Sequence, residues 1–544
     1  MASTVEPLSD PELAGATTLR PVAEVAADLG LDDDELELYG RHKAKVRLSA
    51  IDRRRNAAPG RLVTVTGITP TPLGEGKTTT AIGLVDGLVR NGLSAVACLR
   101  EPSMGPVFGI KGGGTGGGRA QVAPMEEINL HFTGDLHAVT SATNLLAAMV
   151  DAHLFHGNEL GIDAATVTWH RCLDVNDRSL REVTTGAGLR TGFDITAASE
   201  TMAILSVARD LADLRRRLGR VMVARTADGD PVTAEDLGAA GAMTVLLKDA
   251  LKPNLVQTLE GSPALVHCGP FANIAHGNNS VVADALGLGT ADLVVTEGGF
   301  GSDMGFEKHV HLVCRQSGFE PSAAVLVATL RALSHHGGGD LATGADNLGR
   351  HIDIVRGFGI DPVVAINRFP GDSDADVDLV RQIALDFGAY AAEATSAYER
   401  GGAGADALAE AVAAAAKRPT RLRFDYETDD PIAVKIDRLA RRVYGAAGIE
   451  LSPDAERAIE ACEAEGLGRL PICMAKTPLS LSHDPALLNV PRGFTLPVRE
   501  IRPYTGAGWL VVLCGDLMTM PGLSAHPAAL TIDLDPDGRT VGLR

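Results

Sequence analysis

PTPLGEGKTTT, residues 70–80, follows RLVTVTGI at 61–68 and precedes Ala81, Ile82, Leu84, Val85, Leu88 and Val89 at helical spacing. The β-branched run, bounded by Gly67 and Pro70, predicts a buried strand. The apolar spacing predicts a helix that Asn91-Gly92 ends, and SAVACL at 94–99 predicts the next strand. Strand, loop, helix and strand make a right-handed βαβ unit in a parallel sheet. Further strands are expected at ATVTWH (165–170), VMVART (221–226), PALVHC (263–268), DLVVTE (292–297) and PVVAIN (362–367). The fold class that follows is α/β, a P-loop-containing, doubly wound, mostly parallel sheet.

The loop itself has the pattern of a phosphate-binding loop, G-x-x-x-x-G-K-[ST], with one departure. Thr71 stands at the first glycine position and is followed by Pro72, Leu73, Gly74, Glu75, Gly76, Lys77 and Thr78. The chemistry survives that change. Backbone N–H groups at a helix N-terminus cradle phosphate oxygens. Lys77 supplies charge toward the outer phosphates, and the Thr78 hydroxyl is placed to reach Mg2+. A bland alternative is a glycine turn that merely starts a helix; the position between a strand and a helix weighs against it.

The strand after the loop ends in REPSMGP, residues 100–106. Carboxyl ends of parallel strands open on one edge, where ligands bind. Arg100 and Glu101 are therefore expected to face the phosphates held by Lys77, against the bland reading of a surface arginine. GIKGGGTGGGRAQ follows at 109–121, with seven glycines between Gly109 and Gly118 and with Lys111 and Arg119. Ordering such a run costs conformational entropy. Inside a domain it reads as a loop able to close over a reactive intermediate.

Bulk composition narrows the classes. The 544 residues suggest three or four domains, and 45% hydrophobic content is ample for large cores. A formal charge of −19 argues against nucleic-acid or anionic-membrane binding. The seven cysteines are scattered and never spaced Cys-x-x-Cys, as in reduced cytosolic proteins. The polar, acidic start is no signal peptide, no apolar run approaches a membrane span, and a cytoplasmic location is expected. His153 and His156 are spaced as a metal pair but lack a third ligand, so they are read as structural. We expect a large nucleotide domain at 1–362 and two smaller C-terminal α/β domains, a middle one at 363–455 and a last one at 456–544.

In order along the chain stand PTPLGEGKTTT, REPSMGPVFGIKGGGTGGGRAQVAPMEEINLHFTGD, FDITAASE, GGFGSDMGFEKH, VVAINRFP, PICMAKT and RPYTGAGWLVVLCGDLMTMPGL. With them the chain resembles the formate–tetrahydrofolate ligase family, the 10-formyltetrahydrofolate synthetases, over nearly its whole length. A missing first glycine is usual in that family. The resemblance implies ATP-dependent joining of formate to N10 of tetrahydrofolate through formyl phosphate, with Mg2+ and a monovalent cation, K+ or NH4+. It also implies a three-domain α/β subunit in a homotetramer serving one-carbon metabolism.

Residue by residue, the resemblance implies that Lys77 holds the transferring phosphoryl group and that Arg100 binds formate and then formyl phosphate. Glu101 and Asp135 match acids of the cation site, and His131 lines the cleft. Phe369 matches an aromatic that stacks on the pterin. Its partner falls at Tyr398, where the family carries tryptophan, and Phe300 matches an aromatic of the nucleotide or folate cleft. His309 stands where a phenylalanine is expected, and the segment 338–349 is shorter than the family's. Two other readings stay open: a P-loop enzyme resembling dethiobiotin synthetase that activates a different small carboxylate, and a nucleotide-gated scaffold without catalysis.

Overall fold

The computed structural model describes residues 10–56, 58–109, 113–186, 188–515 and 518–543. In chain order the strands of its central sheet are β1 (Leu36–Leu38), β2 (Ala44–Val46), β3 (Arg61–Gly67), β4 (Ala95–Leu99), β5 (Gly116–Gly117), β6 (Ala120–Ala123), β7 (Asn254–Thr258), β8 (Pro263–Val266), β9 (Leu293–Glu297), β10 (Pro321–Ala328), β11 (Val363–Asn367) and β12 (Ala391–Thr395). They lie in the order β1-β2-β7-β8-β4-β9-β3-β10-β11-β12, with the β5-β6 hairpin against β7. Every neighbouring pair from β8 to β12 is parallel. The edge beyond β8 is antiparallel.

The burial pattern explains the composition of these strands. Leu62, Val63 and Val65 of β3 are inaccessible or nearly so on both faces, as expected of parallel strands covered by helices on each side. Helices α1 (Asp10–Ala16), α2 (Lys77–Arg90) and α3 (Met104–Phe108) bear on the candidate site. Ala81, Ile82, Leu84, Val85 and Leu88 of α2 pack with Val63, Val65, Ala97 and Val325 into one core. The other side of α2 presses on residues 397–405. A Cβ at Gly83 would stand 2.4 Å from Ala397 Cβ, so only glycine permits this approach.

Two expected strands lie off this sheet. In 165–170 the Asp163 side chain accepts the Ala165 N–H and caps a 3-10 turn at Ala164–Thr166. That local bond prevails over the β-propensity of the stretch. The strand comes later, at Arg171–Leu173, and among the described residues it pairs only with Phe193–Ile195. Met222–Arg225 pairs with Pro231–Thr233, also outside the main sheet.

Further along, Ile472–Ala475, Trp509–Leu513 and Glu500–Tyr504 form a small sheet, and Gly448–Leu451 pairs in parallel with Thr495–Val498. Tyr426, Tyr444, Ile472, Val498 and Leu510 share a core with Phe306, Val310 and Phe358. β10 and β11 pair in parallel across residue 363, where a boundary is expected. All seven cysteines are buried and free. Among the described residues no helix is long and apolar enough to cross a membrane.

Candidate active site

From β3 the chain moves to β4 on one side and later lays β10, β11 and β12 on the other. The carboxyl-end crevice beside β3 is therefore the expected ligand site. The candidate residues reach this edge from separate strands. Loop 70–76 follows β3, Arg100 and Glu101 follow β4, and Glu297 ends β9. Thr329 and Arg331 follow β10, Phe369 follows β11, and Tyr398 follows β12.

The loop after β3 explains why threonine is tolerated at position 71. The left-handed backbone falls at Gly74 (φ 76°) and Gly76 (φ 73°), not at Thr71. Glu75 points under the loop. Its carboxylate accepts the Thr71 N–H at 2.7 Å and the Thr329 hydroxyl at 2.5 Å, so its side chain fixes loop shape. Asn367 Nδ2 donates to the Glu75 carbonyl at 3.1 Å. Leu73 stands exposed at the rim. Lys77 runs back along the end of β3, where a Cβ on Gly67 would lie 3.3 Å from its Cδ. Burial lowers the Lys77 pKa below the usual ammonium value, opposed by the charges of Glu297 and Glu75.

Glu297 joins the two sides of the crevice. Its Oε2 accepts the Thr78 hydroxyl at 2.5 Å, and its Oε1 faces Arg100 Nη2 at 3.3 Å. Asn278 Nδ2 holds the Glu297 carbonyl at 3.0 Å. Arg100 is otherwise under-paired: its Nε is buried and makes no hydrogen bond.

Glu101 and Asp135 form a second, deeper cluster. Asp135 pairs with the buried Lys45 ammonium at 2.7 Å and accepts from Asn254 Nδ2 at 2.9 Å. Burial, then the Asp135 charge, raises the Glu101 carboxyl well above its usual range. Its Oε2 is buried without a hydrogen-bond partner. The three residues expected around metal thus fall into two groups, Thr78 with Glu297 and Glu101 with Asp135. Among the described residues no group of three or more His, Cys, Asp or Glu is gathered in metal-holding geometry.

Beyond β11, Phe369 borders a cavity of about 600 Å3 lined also by Arg368, Thr395, Ser396, Glu399 and Arg400, a volume suited to a small organic ligand. The Arg331 guanidinium lies 4.6 Å from the Phe369 ring centroid. Tyr398 is engaged elsewhere. Its hydroxyl donates to Asp10 of α1 at 3.0 Å, and its carbonyl accepts the Arg119 N–H at 2.8 Å. Phe300, just past β9, holds a φ of 61°, a strained conformation for a bulky residue.

The histidines divide. His153 accepts the Leu160 N–H, consistent with a structural role. His131 is exposed. His309 is buried, with Nδ1 3.0 Å from the Thr64 hydroxyl and Nε2 unpartnered. Gly109 and residues 113–121 of the glycine-rich segment are described; Lys111 lies outside the described residues.

A family model described as formate–tetrahydrofolate ligase matches residues 8–544. The chain belongs to the formate–tetrahydrofolate ligase family. It is 55% identical over 562 residues to the formate–tetrahydrofolate ligase of Roseiflexus sp. (strain RS-1), covering 98% of this chain and 100% of that one. The same-named protein of Desulforamulus reducens is 53% identical over 561 residues, covering 98% and 99%. That of Saccharopolyspora erythraea is 52% identical over 561 residues, with the same coverage.

In this member of the ligase family, Lys77, Thr78 and Arg100 converge on an acid that motif reading passed over. Glu297 was visible as the last residue of DLVVTE, and an acid at a strand's carboxyl end beside a phosphate loop is a usable signal. Lys45 and Arg331 carried no comparable signal. Their partners Asp135 and Gly74 lie 90 and 257 residues away.

Proposed function

We propose that this ligase joins formate to N10 of tetrahydrofolate at the expense of ATP, through formyl phosphate. The observation that carries the reading is the convergence of Lys77, Thr78 and Arg100 on Glu297, in a chain that matches the ligase family over residues 8–544. Formate is a poor electrophile. Its oxygen attacks the γ-phosphorus of ATP and ADP leaves. N10 then attacks the formyl carbon, phosphate departs and the nitrogen loses a proton.

The residues serve these steps. The loop ending at Thr78 would present to the phosphates the backbone N–H groups that it does not spend internally, as Thr71 does on Glu75. Lys77, already short of solvent, balances charge on the transferring group. Arg100 offers a planar fork to the two oxygens of formate and then to the mixed anhydride. By the resemblance, the glycine-rich segment would shield the anhydride from water. Thr78 and Glu297 are the groups that would hold Mg2+, whose chemistry when bound is to offset phosphate charge. Glu101 and Asp135 would hold the monovalent cation, and the unpartnered Glu101 oxygen supports this.

Phe369 and the cavity beside it would take the pterin; Tyr398 and Phe300, which do not line that cavity, are carried to the folate site by the resemblance alone. The remaining parts of the proposal are a homotetramer in the cytoplasm and a three-part subunit in which 363–455 lends the folate side. They rest on the resemblance. The test is formation of 10-formyltetrahydrofolate from formate, ATP and tetrahydrofolate, omitting each in turn. Product in the full mixture and in none of the incomplete ones supports the reading; ATP turnover indifferent to formate overturns it.

A further inference from the structure

Glu297 sits where three substrate-binding groups would compete for one carboxylate. It ends β9, the strand lying between β4 and β3, so the two active-site strands flank it. One oxygen takes the Thr78 hydroxyl, the other faces a single guanidinium nitrogen of Arg100 at 3.3 Å, and its charge opposes the desolvation of Lys77. Its side chain is 6% exposed, whereas that of Arg100 is 30% exposed. The Arg100 fork is built for two oxygens, yet it holds one at long range while its buried Nε goes unpaired.

We propose that Glu297 is a relay between the nucleotide and formate subsites. Without ligand it occupies Arg100 in the place of a substrate carboxylate. An acid at a strand end that receives the hydroxyl of a phosphate-loop threonine is also placed to take a divalent cation. MgATP at Thr78 draws the Glu297 charge toward the metal and Lys77 toward the phosphates. Arg100 is then released to formate. Formate affinity becomes conditional on the metal–nucleotide complex, and by linkage formate tightens that complex by the same factor. This deepens the proposed ligase reaction and rests on it. Besides its part in holding Mg2+, Glu297 then has a positioning effect on Arg100 that is read in binding.

The test measures formate binding by equilibrium dialysis with labelled formate. Three conditions are compared: no nucleotide, a non-hydrolysable ATP analogue with Mg2+, and the analogue with a chelator. The wild-type enzyme should bind formate on the order of tenfold tighter with the Mg2+ complex than without nucleotide, within the usual range of such couplings. The chelated analogue should give little of that gain. Glu297→Gln keeps the size and the acceptor for Thr78 but removes the charge. It should bind formate tightly in all three conditions, with the coupling factor near one and with a weaker Mg2+ dependence of analogue binding. Should this variant fold poorly by melting temperature, Glu297→Asp serves: its shorter side chain should release Arg100 and raise nucleotide-free formate affinity.

Wild-type binding indifferent to Mg2+ and nucleotide would overturn the relay, as would undiminished coupling in a folded Glu297 variant. The same wild-type preparation is assayed for 10-formyltetrahydrofolate. Failure there rejects the ligase reading itself, whereas normal synthesis with unchanged coupling in the variants rejects only the relay.

Discussion

Arg331 holds its guanidinium 4.6 Å from the Phe369 ring centroid while its Nη2 donates to the Gly74 carbonyl at 2.6 Å. One side chain therefore braces both the loop proposed for ATP and the aromatic proposed for the pterin. Arg331→Ala removes a partly exposed cation–π contact worth about 0.5–1 kcal/mol and one loop anchor. KM should rise a fewfold for both ATP and tetrahydrofolate, with kcat little changed. Steady-state kinetics in each substrate check this, and a rise confined to one of them would contradict the shared brace.

Lys77→Ala should abolish synthesis without harming the fold. Loss of a charge-assisted contact to a transferring phosphoryl group costs on the order of a thousandfold in rate. The ammonium is held with its pKa below the usual value by burial, so removing it should leave the melting temperature equal or slightly higher. Turnover close to wild type in a folded variant would exclude the role.

Lys77 and Arg100 show what the sequence made legible and why. The loop lies between a β-branched strand and a regularly spaced helix, so local pattern placed Lys77, and the strand end placed Arg100. The convergence on Glu297 could not be read locally. Arg100 and Glu297 are 197 residues apart and meet only because β9 inserts between β3 and β4. The expected strand at 165–170 fails for the opposite reason, since a short-range bond from Asp163 outweighs strand propensity.

Tyr398 tests how far the resemblance carries to the folate side. Its hydroxyl is committed to Asp10, 388 residues away. Tyr398→Trp gives up that bond but enlarges the stacking face. It should keep activity and tighten tetrahydrofolate binding by about 0.5–1.5 kcal/mol. Tyr398→Phe, which loses only the hydroxyl, should leave folate affinity unchanged. Identical folate affinity in the Trp, Phe and Ala variants would remove this residue from the pterin site.

Glu200 predicts a pH dependence of stability. It is buried and accepts the Gly506 N–H at 2.8 Å and the Ala507 N–H at 3.2 Å. Burial raises its pKa to about 7, against the lowering effect of those bonds. A carboxyl raised on folding contributes its full stability below its unfolded pKa of 4.5 and loses it as pH rises toward 7. Glu200→Gln keeps the acceptor and cannot ionise. The variant should match wild type near the low end of that window and gain up to roughly 3 kcal/mol above the high end. Denaturant titrations across the window check this, and parallel curves would show that Glu200 does not ionise there.

The central claim is that Arg100 grips formate and the formyl phosphate made from it. The most direct measurement is ATP synthesis from ADP and carbamoyl phosphate, an analogue of that anhydride, by Arg100→Ser and Arg100→Lys. ATP affinity and melting temperature are measured on the same preparations. The account predicts folded variants that still bind MgATP, make neither formyl phosphate nor ATP, and are poorly rescued by lysine, which lacks the planar fork. A variant that is destabilised yet still supports both partial reactions would show that Arg100 only ties down the end of its strand.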